Sequence, residues 1–357
     1  MNIIPFLRPH IGHISYLVNH GGYAVLPQLI VFEITSRCNL RCKMCWWDFD
    51  RKETDNELTF EEVKRLIDQI RFFKPSITVT GAEPFIRKDT AEILLYMVDR
   101  HIRVDSILTN GVLVNEESAK AIVKARVGLV QVSIDGDRET HERIRGVKGC
   151  YGKALRGIEL IRSAMERLNK KKPDIRINCV ISSENVHCLD SLVDLAEELH
   201  VQLQFQHLMW LDKEQIDRHK YFLKERFAFE DTTMKSLENN LQCLDLKLLE
   251  EKLQKIKQEC QGRGIPLYFL QFSDKQTIKK WYTDLSFVPR KRCLEPFLVA
   301  RISAKGDLKF CPLIDYSYGN VKVDKFETLW KGTRAKEIRS ELRRKGLFPG
   351  CIRCCKL

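Results

Sequence analysis

Between residues 28 and 210 the chain alternates apolar runs of strand length with amphipathic stretches of helix length, and this alternation restricts the fold more than any other feature. A strand, a covering helix and a second strand form a parallel pair, because only a long crossover returns the chain to the same sheet edge. Six strands are predicted, at 29–35, 76–80, 106–109, 127–134, 175–181 and 201–208. The helix predicted at 59–72 opens on Thr59 with Glu62 three residues on, a capping-box spacing. After Leu208 the alternation stops. Charged helices are expected over 213–262, the last from about 234 to 261 with Gly262 and Gly264 at its end, then a short strand at 266–272. From 290 onward cysteine, glycine and proline replace periodicity, and a tail so poor in apolar repeat calls for a metal staple. The expected division is 1–27, an N-terminal segment; 28–212, a core; 213–289, helices and a last strand completing it; and 290–357, a cysteine-rich unit.

Thirteen cysteines occur with neither a signal peptide nor an apolar run of membrane length, so a cytoplasmic location without membrane attachment is expected. Thiols there stay reduced, which favours metal ligation over disulfides for the clustered ones. Cys150, Cys179, Cys188, Cys243 and Cys260 stand apart and read as small buried hydrophobes. The net charge of +12 is spread widely, with concentrations at 169–172 and 334–345 that have no interleaved aromatics. That distribution argues against a nucleic-acid platform and leaves solvated faces or an anionic substrate.

Directly after the first strand comes Cys38-Asn39-Leu40-Arg41-Cys42-Lys43-Met44-Cys45. Three thiolates at this spacing can hold one 4Fe-4S cube and leave its fourth iron without a protein ligand. A structural zinc site wants four ligands, and the nearest histidines are His20 and His101. Thr80-Gly81-Ala82-Glu83-Pro84, Leu108-Thr109-Asn110-Gly111 and Val132-Ser133-Ile134-Asp135-Gly136 then close successive strands, where parallel α/β folds place their chemistry.

Together with Glu33-Ile34-Thr35-Ser36-Arg37 before Cys38, these segments resemble the signatures of the radical S-adenosylmethionine superfamily. The resemblance implies an α/β fold, a partial (β/α)6 TIM-like barrel with a small cysteine-rich C-terminal iron–sulfur domain. It implies reductive cleavage of S-adenosylmethionine to a 5′-deoxyadenosyl radical that abstracts hydrogen from a substrate, with electrons from a reductase such as flavodoxin or ferredoxin. Cys38, Cys42 and Cys45 would ligate the catalytic cluster; Gly81, Ala82, Glu83, Pro84, Asn110, Ser133, Asp135 and Arg145 would contact S-adenosylmethionine, Arg145 through a carboxylate. Two positions depart from the pattern. Ala82 replaces a glycine, so position 82 needs no positive φ, and Met44 replaces an aromatic whose surface the thioether or Trp46 would supply. Gln204, Gln206 and His207 are expected near the mouth, His207 as a structural residue.

In the tail, Cys293, Gly306, Cys311 and Cys351-x2-Cys354 resemble the SPASM or shorter twitch extension. One auxiliary 4Fe-4S cluster on Cys293, Cys311, Cys351 and Cys354 is the implied count, with Cys355 able to replace Cys354. The spacing alone is also compatible with a four-cysteine zinc ribbon. No catalytic acid or base is assigned. With no leader-recognition domain visible, the expected substrate is a polar or anionic small molecule or sugar-like compound, the alternative being a peptide, as for maturases of ribosomal peptides. A non-catalytic iron–sulfur or zinc module binding nucleic acid would need no such set of strand-end motifs.

Overall fold

The computed structural model describes residues 16, 21–45, 56–231, 233, 237–238 and 244–354. Seven parallel strands form the core: β1 (Leu29–Glu33), β2 (Ser76–Thr80), β3 (Arg103–Thr109), β4 (Leu129–Ser133), β5 (Asp174–Ile181), β6 (Gln202–His207) and β7 (Leu267–Phe269). They pair in chain order, with Leu29 opposite Ser76 and Ile181 opposite His207. Helices Phe60–Ile70, Thr90–Asp99, Glu116–Lys124, Arg138–Arg145, Cys150–Arg167 and Ser191–Glu198 fall between them. The helix Phe60–Ile70 has its capping box: the Thr59 hydroxyl accepts from the Glu62 N–H, and the Glu62 side chain accepts from the Thr59 N–H.

Period two divides each strand between two environments. Ile30 and Phe32, Ile77 and Val79, Val130 and Val132, Ile175 and Ile177, and Leu203 and Phe205 join the apolar core. The alternate positions of β2 to β6 carry Thr78, Ser106, Gln131, Arg176, Asn178 and Gln204, a polar lining for the concave side. Its members satisfy one another. Thr78 and Ser106 hydroxyls lie 3.0 Å apart; the Gln204 amide donates to Asn178 (2.8 Å) and Gln131 (3.3 Å) and accepts from Arg176 (3.0 Å).

The tail joins the barrel through its sheet. Its strands β8 (Val299–Ile302), β9 (Asp307–Lys309) and β10 (Ser317–Asn320) extend the same sheet, in the order β10-β9-β8-β1 through β7. β8 runs parallel to β1 with Arg301 opposite Val31, and β9 and β10 fold back antiparallel. Short strands lacking alternation gave no periodic signal, yet they have a ready partner in the unpaired edge of β1. Helix Thr333–Lys345 closes this end; its buried Arg339 donates to the carbonyls of Pro296 (2.8 Å) and Trp330 (2.8 Å).

The charged helices after β6 are Lys213–Phe227 and Leu246–Arg263. The second begins later than the sequence suggested, because Asp245 caps it by accepting from Lys247 and Leu248, and Gly264 ends it at φ +68°. Cys150, Cys179, Cys188 and Cys260 are buried as expected; Cys243, Trp46, Trp47 and Cys355 lie outside the described residues. Among the described residues no helix is long and apolar enough to cross a membrane.

Candidate active site

The C-terminal ends of β1 to β4 converge on the cysteine loop. The loop main chain is stitched to the end of helix Arg138–Arg145: the Arg41 N–H donates to the Arg145 carbonyl (3.4 Å) and the Lys43 N–H to that of Ile144 (3.0 Å). The Cys45 N–H returns to the Cys42 carbonyl (3.1 Å), and the Leu40 N–H points at Cys38 Sγ (3.4 Å). All three cysteines are half-buried.

Gly81 lets the next loop approach. Its φ is +138°, and a Cβ there would sit 2.5 Å from the Thr35 carbonyl oxygen. The Ala82 N–H donates to that oxygen (3.0 Å) and the Glu83 N–H to the Arg37 carbonyl (2.9 Å), so the loop lies directly on the approach to Cys38. Ala82 has no positive φ, which is why a methyl is tolerated there. Pro84 begins a short helical turn after it.

Glu83 is fully buried and joins two strand ends. Its carboxylate accepts from the Thr109 hydroxyl (2.7 Å), the Asn110 N–H (2.7 Å) and the Phe85 N–H (3.2 Å). Burial pushes its pKa up, opposed by those donors. The Asn110 amide in turn donates to Asn39 (2.9 Å), beside Cys38 Sγ at 3.9 Å. Gly81, Glu83 and Asn110 therefore meet at the cluster loop.

Asp135 and Arg145 are buried and committed to each other through a 2.6 Å bond from Arg145 Nε to Asp135 Oδ2. Arg145 Nη1 reaches Cys42 Sγ at 3.5 Å, and Asp135 also accepts from the Val180 N–H (3.3 Å). Arg145 thus braces the second cysteine from below. Its pKa is raised: burial opposes the charge, and Asp135 and Cys42 outweigh it. Ser133, half-buried at the end of β4, pairs with Asn178 of β5 through its main chain, and its hydroxyl has no hydrogen-bond partner among the described residues.

Two braces escaped the sequence reading. Glu57 accepts from the Thr35 hydroxyl (2.7 Å), the Ser36 N–H (2.7 Å) and Arg37 (3.2 Å), holding the segment before Cys38. Burial works against its charge, yet these donors keep its carboxyl below the usual range. Arg87 donates to the Ile34 carbonyl (3.1 Å) and pairs with Asp89. Nothing in a single Glu or Arg distant from the motif signals such a partner. His207 is held as a structural residue: its ring nitrogens lie 3.0 Å from the Tyr282 hydroxyl and 3.1 Å from the Phe272 carbonyl, and the ring stacks on Phe272.

The tail cysteines form a second set. The Cys293 N–H donates to the Gly346 carbonyl (3.1 Å), bringing it to the helix end that leads into Pro349–Arg353. The Leu313 N–H points at Cys311 Sγ (3.4 Å), and the Cys354 N–H bonds the Cys351 carbonyl (3.2 Å). Arg353 anchors this turn from between two tryptophans, Trp210 and Trp281, each about 5 Å away (5.1 and 5.0 Å). Burial pushes Cys293 up to about 11 and Cys311 up to about 12. Cys293 and Cys311 also lie close enough to Cys351 to raise its pKa further, after burial. Cys293, Cys311 and Cys351, half-buried against the core and close enough to act on one another, suit a cluster that ligates them as thiolates.

Residues 32–195 match the radical SAM superfamily, and residues 293–355 match the SPASM iron–sulfur cluster-binding domain. The chain belongs to the radical SAM superfamily. As a radical SAM protein with a C-terminal SPASM domain it is an enzyme that binds S-adenosylmethionine and 4Fe-4S clusters. It is 29% identical to the Fe-coproporphyrin III synthase of Methanosarcina barkeri over 348 residues, 91% of this chain and 80% of that one. The PqqA peptide cyclase of Granulibacter bethesdensis is 30% identical over 175 residues, 48% of this chain and 45% of the cyclase. In fold, Streptococcus suis SuiB bound to its precursor peptide SuiA matches with a TM-score of 0.65 at 17% identity, over 95% of this chain and 72% of SuiB.

Proposed function

We propose that this enzyme oxidises an organic substrate, the strand-end set around Cys38, Cys42 and Cys45 initiating the reaction and the tail set on Cys293, Cys311, Cys351 and Cys354 taking part in the oxidation. The observation that carries it is that the loop with Cys38, Cys42 and Cys45 and the tail with Cys293, Cys311, Cys351 and Cys354 are built on one continuous sheet. Cys38, Cys42 and Cys45 would hold a 4Fe-4S cluster, which with S-adenosylmethionine bound would supply a 5′-deoxyadenosyl radical.

The protein's part is positioning and exclusion of water. Gly81 and Ala82 offer main chain to the methionine end of S-adenosylmethionine, and Glu83 keeps that loop in register with Asn110. Ser133 is the uncommitted donor at the β4 end. The Asp135–Arg145 pair holds Cys42 in place, and any contact of Arg145 with a carboxylate uses what Asp135 leaves of its guanidinium.

For the substrate, we propose a carboxylate-bearing tetrapyrrole of the porphyrin type. The nearly full-length match to a synthase named for making Fe-coproporphyrin III supports a tetrapyrrole as what is bound and converted, as does the net charge of +12. A peptide is the second reading, favoured by the match of the core to a peptide cyclase; it is supported at least as well as a sugar-like compound. The test gives anaerobically reconstituted, reduced enzyme S-adenosylmethionine and measures 5′-deoxyadenosine, then titrates it with iron coproporphyrin III. A shifted Soret band at one porphyrin per chain is expected. Absence of any shift while 5′-deoxyadenosine still forms overturns the tetrapyrrole and leaves the peptide; no 5′-deoxyadenosine overturns the initiating role of the strand-end set.

A further inference from the structure

β8 is the strand through which the tail joins the barrel, and Arg301 is its buried charge. The residue is 7% exposed, opposite Val31 of β1 on one side and Lys309 of β9 on the other. Val31 and Arg301 lie on the face turned away from the apolar core, the face that also carries Glu33, itself only 8% exposed. Three more charged residues crowd this seam. Lys309 is paired with Asp315, whereas Arg301 reaches Glu295 only at 3.6 Å, and its Nε, buried, has no hydrogen-bond partner. Leaving a guanidinium N–H buried and unbonded costs stability, which points to a negative partner belonging at that place.

The groups beside it are the tail cysteines. Glu295, 3.6 Å from Arg301, stands two residues after Cys293, and Lys309, paired with Arg301 across the strands, stands two residues before Cys311. The Glu295 carboxylate brings the opposite charge to the same place. A guanidinium stays charged throughout any accessible pH range.

We propose that Arg301 is the fixed positive charge that sets the reduction potential of the tail cluster, a positioning residue that favours electron uptake, while Glu295 partly offsets it. This rests on the tail cysteines holding a 4Fe-4S cluster. Uptake of one electron adds one negative charge to a thiolate-ligated cluster in a buried site, and a nearby cation stabilises the more negative state.

The test is an anaerobic redox titration of the reconstituted full-length enzyme by electron paramagnetic resonance. The tail cluster is the signal that S-adenosylmethionine leaves unchanged. Arg301→Gln should make its reduction about tenfold less favourable, a midpoint about 59 mV more negative for one electron. Arg301→Lys should restore most of the shift, and Glu295→Gln should move the midpoint the other way. A folded Arg301→Gln enzyme with full iron content and an unchanged midpoint overturns the proposal. If Arg301→Gln fails to fold, Glu295→Gln decides: a positive shift supports it and an unmoved midpoint overturns it. A wild-type enzyme lacking the second cluster would instead overturn the cluster reading beneath it.

Discussion

Replacing Asp135 by alanine isolates the brace beneath Cys42. The carboxylate is fully buried and bonded at 2.6 Å to an Arg145 that is 8% exposed, so the variant strands a guanidinium in the interior beside Cys42 Sγ. Breaking a buried pair by removing one partner costs about 3–5 kcal/mol, and the Val180 N–H loses its acceptor as well. About 4 kcal/mol is expected for Asp135→Ala and about 3 kcal/mol for Asp135→Asn, which keeps one acceptor oxygen but sets an amide NH2 against the other donor. The double variant Asp135→Ala/Arg145→Met removes the stranded cation, so it should be less destabilised than Asp135→Ala alone, with a coupling energy of at least about 2 kcal/mol. Anaerobic urea unfolding of the reconstituted enzymes, read by tryptophan fluorescence and by loss of cluster absorbance, measures each term. A loss below about 1 kcal/mol for Asp135→Ala, or strict additivity in the double variant, would refute the reasoning.

Other outcomes are expected from the same geometry. Anaerobically reconstituted enzyme should carry about eight irons, and Cys38→Ala/Cys42→Ala/Cys45→Ala about four; a wild-type count near four with bound zinc contradicts the two-cluster arrangement. Glu83→Ala orphans the Thr109 hydroxyl and the N–H groups of Asn110 and Phe85, so a loss of about 3 kcal/mol and weakened S-adenosylmethionine binding are expected at unchanged iron content, checked by thermal unfolding and equilibrium dialysis. Gly81→Ala should cost at least about 2 kcal/mol through the clash with the Thr35 carbonyl, measured by urea midpoint. Burial pushes His141, His207 and His219 each down to about 4. Because the unfolded chain binds those protons near pH 6.5, their contribution is present above that pH and fades as pH falls toward 4. From pH 7 to 5 each should lose about 2 kcal/mol, and His207→Gln should flatten that slope in urea unfolding.

The primary structure determined the parallel core on its own terms, because a strand buried on one face and a helix with one apolar stripe leave a period that survives in the residues. Ser76–Thr80 is observed at its expected bounds, and the ends of β1 to β4 carry the cysteine loop, Gly81, Asn110 and Asp135 in the order in which the motifs occur. The cysteine sets were legible because ligand geometry imposes short, fixed spacings. Only the tertiary structure decided what lies across the chain from them. β8 to β10 are three or four residues long, and their place on the edge of β1 depends on a pairing some 270 residues away in sequence, which no local period encodes. Glu57, Arg87, Arg301 and Arg353 escaped for the same reason: a charged side chain is buried only when distant segments supply its partners, and isolated in sequence it is indistinguishable from a solvated one.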